Sequence, residues 1–474
     1  MVKRTRFIGL LVVLVCGMFA ACVPSNSLTE EMPVFTPQGS LTGQATPTPT
    51  KTPTVTPTPP WQVTLEALNN VHLTFYYPWV GGAAQFVEKQ IDTFNQTNEW
   101  DIFVEGEATG GSYMLFSQVS TVLSIGGAGG IVAAPVEQLA YWNAENEGVV
   151  DLSQYLDDPV FGFSEDNRQD FMTVYWQQAF NGKQLLGIPV EGNAEVLIYN
   201  QSWAKELGFN QPPATPQEFQ AQACAARDAL LHDQDYQNDG TGGWIINPNP
   251  LVTLSWMNSF DYAGFAPEHL GDIRFNTPET IAAMTFLRGL ADETCAWNSR
   301  EPAPYSYFSQ RNALFYSANV AELFTQDRFQ KMAASEDNWT VIPFPNLSGA
   351  PQMMVDGSAL GVLNADNASE LAGWLFVRWF STPEIQAGLV KETGTLPVLS
   401  RSTDLLADQK NKIPPWGAAV NLLETAYPAP NTASWHLAQT VLEDAAWQVF
   451  QPNQTIDNIP EILTLLDETI PTLK

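Results

Sequence analysis

Histidine and cysteine are scarce, four of each in 474 residues, and neither is arranged for chemistry. The histidines, at positions 72, 232, 269 and 436, lack ligand spacing, and no two cysteines form a Cys-x-x-Cys pair, so zinc and dithiol readings find no pattern. Gly-x-Ser-x-Gly, His-Glu-x-x-His and Gly-x-x-x-x-Gly-Lys are absent, so the hydrolase elbow, zincin and nucleotide-loop readings lack their motifs. The sequence therefore predicts no cofactor and no metal. If nucleotide hydrolysis drives the protein's work, another subunit must bind the nucleotide. An adhesive surface protein would be expected to show repeats, and none is present. Basic residues are also few, 21 Lys+Arg against 51 Asp+Glu. A surface so acidic repels phosphate backbones and anionic lipid head groups, which argues against nucleic acid and against tight docking on a membrane.

Beyond the first 22 residues no apolar run reaches a bilayer-spanning length. At the start, Lys3, Arg4 and Arg6 precede an apolar stretch over residues 7 to 20, which is short for a span and right for a signal peptide core. Residues 1–21 are expected to be a signal peptide. Phe19-Ala20-Ala21-Cys22 resembles a bacterial lipobox, with Phe19 where leucine is usual, and so predicts lipidation at Cys22; ordinary cleavage nearby is the alternative. Loss of that leader removes three basic residues and no acidic one, leaving 18 against 51, a net of −33. Residues 22–60 end in a Thr/Pro-rich run, a semi-rigid tether with no core of its own. About 410 residues remain, more than one compact core and suited to two lobes.

The folded part opens on β-α-β patterning. Residues 71–78 and 101–106 read as strands, and Phe86, Val87, Ile91 and Phe94 form one face of a helix between them. Leu115, Val119, Val122 and Leu123 mark a second helix. Thr215-Pro216-Gln217-Glu218 and Ser381-Thr382-Pro383-Glu384 both predict a capped helix start with a capping-box acid, and Thr277-Pro278 opens a third. The fold class is α/β, and open sheets of this kind bind ligands beyond the carboxyl ends of their strands.

Residues 187–219 carry a recognisable order of motifs: Gly187-Ile188-Pro189, then Leu197 to Asn200, then Pro213 to Phe219. VIPFPNLSGA, DGSALGVL, ELAGWLFVRWFSTPEIQ and TGTLPV follow downstream. In this order the chain resembles extracellular solute-binding protein family 1, the surface receptors of ABC importers, many of them for carbohydrates. The resemblance implies two lobes with a type II-like periplasmic-binding fold, closing about a hinge. Lobe one would comprise residues 61–192 and 346–400, and lobe two residues 193–345 and 401–474. It also implies a small-molecule ligand, ABC transmembrane subunits as partners, a membrane anchored only through the lipid, and a monomer.

A sugar offers C–H faces to aromatic rings and hydroxyls to paired polar groups. Trp79, just after the first strand, is either a stacking platform or packing beneath its loop. Glu191 and Asn193 lie on the first crossover, where relatives often contact ligand; a hinge group satisfied locally is the alternative. Trp256 is the leading aromatic candidate, with a core tryptophan as its alternative, and Asp261 and Tyr262 lie beside it. Ser317 and Asn319 occupy a block where relatives carry Gly-x-Trp, although Val320 replaces that tryptophan. Asp356 and Ser358 open a segment that often faces the cleft, unless Asp356 merely forms an Asx turn before Gly357. Trp244 is a further candidate. Cys224 and Cys295 are expected to form a disulfide, with two buried thiols as the alternative. Residues 233–243 approximate the start of a calcium loop, but Ile246 stands where a bidentate glutamate is needed, which favours a solvated turn. The same scaffold binding a polyamine, iron chelate or peptide, or a surface glycoside hydrolase, stay open as rival functions.

Overall fold

The computed structural model describes residues 63–126, 129–264, 273–300 and 303–473. The expected signal peptide, the lipidation site Cys22 and the tether lie outside the described residues. No helix among those described is long and apolar enough to cross a membrane.

The described residues form twelve strands: β1 His72–Tyr77, β2 Phe103–Ala108, β3 Gly130–Pro135, β4 Phe180–Asn181, β5 Gln184–Leu185, β6 Ile188–Asn200, β7 Gly242–Ile245, β8 Ala296–Trp297, β9 Ala313–Asn319, β10 Trp339–Ile342, β11 Met353–Val362 and β12 Ala426–Pro428. Apart from the β4-β5 pair they join in one sheet, ordered β2-β1-β3-β11-β6-β9-β7-β8, with β10 on β6 and β12 on β11. The opening is β-α-β as its periodicity predicts. α1 (Gly81–Thr97) buries Val87, Ile91 and Phe94 against parallel β1 and β2, and α2 (Ser112–Ser124) leads to β3 and α3 (Val136–Asn146).

Strand β6 is the spine of the molecule. Its first half pairs antiparallel with β11 and its second half with β9 and β10, so one continuous strand serves two regions of sheet. Val-, Ile- and Leu-rich sequence suits a strand covered on both faces. One core gathers Phe75, Phe94, Trp374 and Phe376 and extends past the strand crossing to Val196 and Tyr316. A second gathers Leu197, Phe219, Phe315, Trp435 and Leu466.

Trp244 and Trp256 belong to this second core, both with 0% exposure. Phe219 lies edge-on to each, and the two indoles meet at 5.8 Å. Full burial of the largest apolar side chain on a helix and a central strand is what packing demands here, so neither ring meets solvent or cleft. Cys224, on helix Pro216–Leu231, and Cys295 are joined by a disulfide.

The capping box at Thr215 forms, with Glu218 reaching back to the Thr215 amide. Thr277 likewise caps helix Pro278–Asp292. The box expected at Ser381 does not form. Ser381 Oγ donates 2.8 Å to the Val377 carbonyl at the end of helix Asn367–Phe380, leaving Thr382 as N-cap of Pro383–Thr393 without a side-chain bond. A hydroxyl engaged at one helix's C-terminus is unavailable to the next helix's start. In the 233–243 loop, Asp233 and Asp235 accept amide hydrogens from Asp235 and Gln237 at 2.6 and 3.1 Å, an Asx-turn arrangement.

Candidate functional site

Side chains alternate along a strand, so Glu191, Asn193 and Glu195 of β6 project to one face. The register places Ser358 beside Glu191, Asp356 beside Asn193, and Asn319 of β9 beside Glu195. Directly opposed residues lie about 5 Å apart at Cβ and diagonal ones about 7 to 8 Å. The two crossing strands thus carry a polar strip with Asp356 diagonal to both Glu191 and Glu195.

Two walls flank the strip. On one side the Trp79 indole N–H donates to Glu191 Oε2 at 3.2 Å, and the nearby Thr393 and Thr395 hydroxyls, 2.7 Å from each other, help to hold its pKa down. The Trp79 ring itself is packed on Tyr77 and Phe75, with 7% exposure, so its effect on the strip runs through the N–H. α3 brings Glu137 in its first turn, beside β3, whose Pro135 pairs with Ser358. On the other side stands helix Ala433–Val449. Its Gln439 Nε2 donates 3.3 Å to Glu137 Oε1, and the His436 ring lies 4.4 Å from Phe116 and 5.2 Å from Tyr141. Asn319 Nδ2 donates to Glu195 Oε1 at 3.3 Å.

Four carboxyl groups therefore converge without a cation. None of the ion pairs among the described residues uses Glu137, Glu191, Glu195 or Asp356. Burial pushes the Glu137 and Glu191 carboxyls up to about 7, Glu195 to about 8 and Asp356 to about 6. The charge of Asp356 raises the first three further, and the hydrogen bonds from Gln439, Trp79 and Asn319 work the other way. His436 is pulled down to about 4 by burial and is neutral at pH 7.

Of the residues singled out from sequence, the fold brings together Trp79, Glu191, Asn193, Asn319, Asp356 and Ser358. It leaves five outside. Trp244 and Trp256 are core, and the Ser317 hydroxyl is buried against the Trp244 N–H at 3.3 Å. Asp261 is exposed in a turn at φ +66°, and Tyr262 packs on Phe275 while donating to the Arg274 carbonyl. Glu195 was missed although it continues the alternation of Glu191 and Asn193. Glu137 was missed although it is the first charged residue after a strand's carboxyl end, where such sheets bind ligands. Phe116, Tyr141, His436 and Gln439 carried no local signal.

A polar strip where two strands cross between α/β regions, walled by helices from either side, defines a two-lobed solute receptor. The family model for bacterial extracellular solute-binding proteins matches residues 89–422, and the chain belongs to that family. The sn-glycerol-3-phosphate-binding periplasmic protein UgpB of Yersinia enterocolitica is 24% identical over 348 residues, 69% of this chain and 70% of that protein. Among solved structures, the sugar-binding protein MalE of Xanthomonas citri superposes with a TM-score of 0.70 at 18% identity, over 85% of this chain and 98% of that one. The cyclic alpha-maltosyl-1,6-maltose binding protein of Arthrobacter globiformis gives 0.68 at 17% identity, over 84% and 98%.

Proposed function

We propose that this protein is the receptor of an ABC importer and captures a carbohydrate between lobe one (residues 61–192 and 346–400) and lobe two (residues 193–345 and 401–474), closing about β6 and β11. The observation that carries the reading is the strip of Glu191, Asn193, Glu195, Asp356 and Ser358 at the strand crossing, whose acceptors suit hydroxyl donors. Half-buried Phe116, Tyr141 and His436 supply rings for C–H faces at the same cleft. The sugar-binding names of MalE and the cyclic maltosyl-maltose receptor point the same way. UgpB's phosphate ester does not suit a strip of carboxylates without a cation. The ligand is released unchanged to the transmembrane subunits, which read the closed shape.

Lipidation at Cys22 and a Thr/Pro-rich tether would hold the receptor as a monomer outside the membrane. Titration calorimetry against mono- to tetrasaccharides and glycerol 3-phosphate tests the ligand class: a sugar should bind and be recovered intact. Binding of glycerol 3-phosphate with no sugar, or recovery of shortened sugars, refutes it. Cys22→Ala should move the protein from the membrane to the soluble fraction.

A further inference from the structure

Three of the four cleft carboxylates already have a side-chain donor: Gln439 for Glu137, Trp79 for Glu191, Asn319 for Glu195. Asp356, between them, accepts from no other side chain among the described residues, its own backbone amide being the one donor that lowers its pKa. On the same face the Asn193 Oδ1 is buried without a partner. Both are acceptors, and no described residue supplies the donor they face, which leaves these positions open to a donor carried by a solute. The charge is as one-sided as the hydrogen bonding, since no described lysine or arginine pairs with any of the four. Closing a cleft over these acids costs the desolvation of whichever stay ionised, a cost met either by protons held on the acids or by positive charge that enters with the solute.

A metal ion is the wrong size for this role. Among the described residues the one trio of His, Cys, Asp or Glu groups close enough to share an ion is Cys224, Glu293 and Cys295, and those sulfurs are in the disulfide. The cleft acids are not gathered so closely: Asp356 is diagonal to Glu191 and Glu195 on a neighbouring strand, and Glu137 lies in the first turn of a helix.

Resting on the carbohydrate reading above, we propose that the saccharide is a basic one, with a protonated amine seated against Asp356 and flanked by Glu137, Glu191 and Glu195. Hydroxyls on the remaining ring positions meet Asn193 and Ser358. The field of a mature chain at −33 draws such a cation toward the cleft and repels anionic sugars. Binding an ammonium also favours the ionised acids, so protons held at Glu137, Glu191 and Glu195 leave as the solute enters.

Matched probes test this on the full mature chain: glucosamine against glucose, chitobiose against cellobiose, and spermidine as an amine without a sugar. Calorimetry at pH 7 in two buffers of different ionisation enthalpy reads affinity and proton release together. The expected result is at least tenfold tighter binding of the amine form of a pair, with proton release. Asp356→Asn should remove that preference while melting as a folded protein, and Glu137→Gln, on the opposite element, should reduce it. Equal or tighter binding of glucose or cellobiose overturns the basic-sugar inference and leaves the carbohydrate reading intact. Spermidine binding with no sugar bound overturns both. If all five probes fail, the inference falls and the wider neutral-sugar panel alone decides the proposed function.

Discussion

Glu195 is 8% exposed and sits where β6 passes from β11 to β9, with one hydrogen bond from Asn319 and no cation. Replacing it with glutamine keeps shape and the acceptor while removing the charge. In the folded chain its carboxyl titrates at about 8 rather than 4.5, chiefly through burial. Between those values the folded state holds a proton that the unfolded chain has lost, so stability falls as pH rises across this window and levels off above it. At about 1.4 kcal/mol per pH unit, the full shift costs the unliganded protein about 5 kcal/mol by pH 8. Admission of water when the lobes part would cut this to about 2 kcal/mol. With an unfolding entropy of about 2 cal/mol/K per residue over about 410 residues, Glu195→Gln should melt about 2 to 6 °C above the parent at pH 8. Calorimetric melting from pH 4.5 to 8 should show the two proteins converging at the acid end. Parallel pH profiles for parent and variant would refute the account of Glu195 as a buried, uncompensated acid.

Trp79→Phe keeps a ring against Tyr77 but deletes the N–H that donates to Glu191. Ligand affinity by calorimetry should fall about tenfold, the scale of one hydrogen bond to a charged group, with a change in Tm of less than a few degrees. The Cys224–Cys295 bridge closes a separation of 71 residues, so reduction or a double serine variant should cost about 4 kcal/mol, read as a lower urea midpoint. A Cβ at Gly192 would lie 2.5 Å from Tyr175 Cζ and Oη, so Gly192→Ala should cost about 1 to 3 kcal/mol. The loss should shrink in a Tyr175→Leu background, where the clash is absent.

The elements most legible in the sequence were those with a local physical signature. The β-α-β start follows from apolar period and Thr215 and Thr277 from cap chemistry, whereas the crossing strand at Gly187-Ile188-Pro189 follows from the family resemblance. Ser381 shows the limit of local reading, because its hydroxyl had two helix ends within reach and serves the earlier one. The tryptophans show another. Composition says that an indole is present, but whether it lies in a core or a cleft depends on the packing of distant elements, and Trp244 found its polar partner 73 residues away in Ser317. Gln439 and Glu137 meet across 302 residues, a pairing that no window of sequence contains. Glu195 is different, since its parity with Glu191 and Asn193 was readable once β6 was taken as a single strand.

That continuity of β6 separates what is fixed in the cleft from what can move. Glu191, Asn193, Asp356 and Ser358 are held in register by the β6–β11 ladder, so the floor keeps its pairing across the crossing. The walls meet through weaker links, the Glu137–Gln439 hydrogen bond and the rings of Phe116, Tyr141 and His436. When the walls part, water reaches the floor acids and their ionised forms gain solvation; when the walls close on an empty cleft, that solvation is lost with no charge to replace it. Under the proposed hinge motion, open and closed states therefore differ in the solvation of these same four acids. A solute can shift that balance only by interacting differently with the two states. Groups that donate to Asp356 and its neighbours do so most fully when the walls are shut. The feature that makes empty closure costly is thus the feature through which a matching solute drives closure, and ligand choice and hinge motion reside in the same side chains.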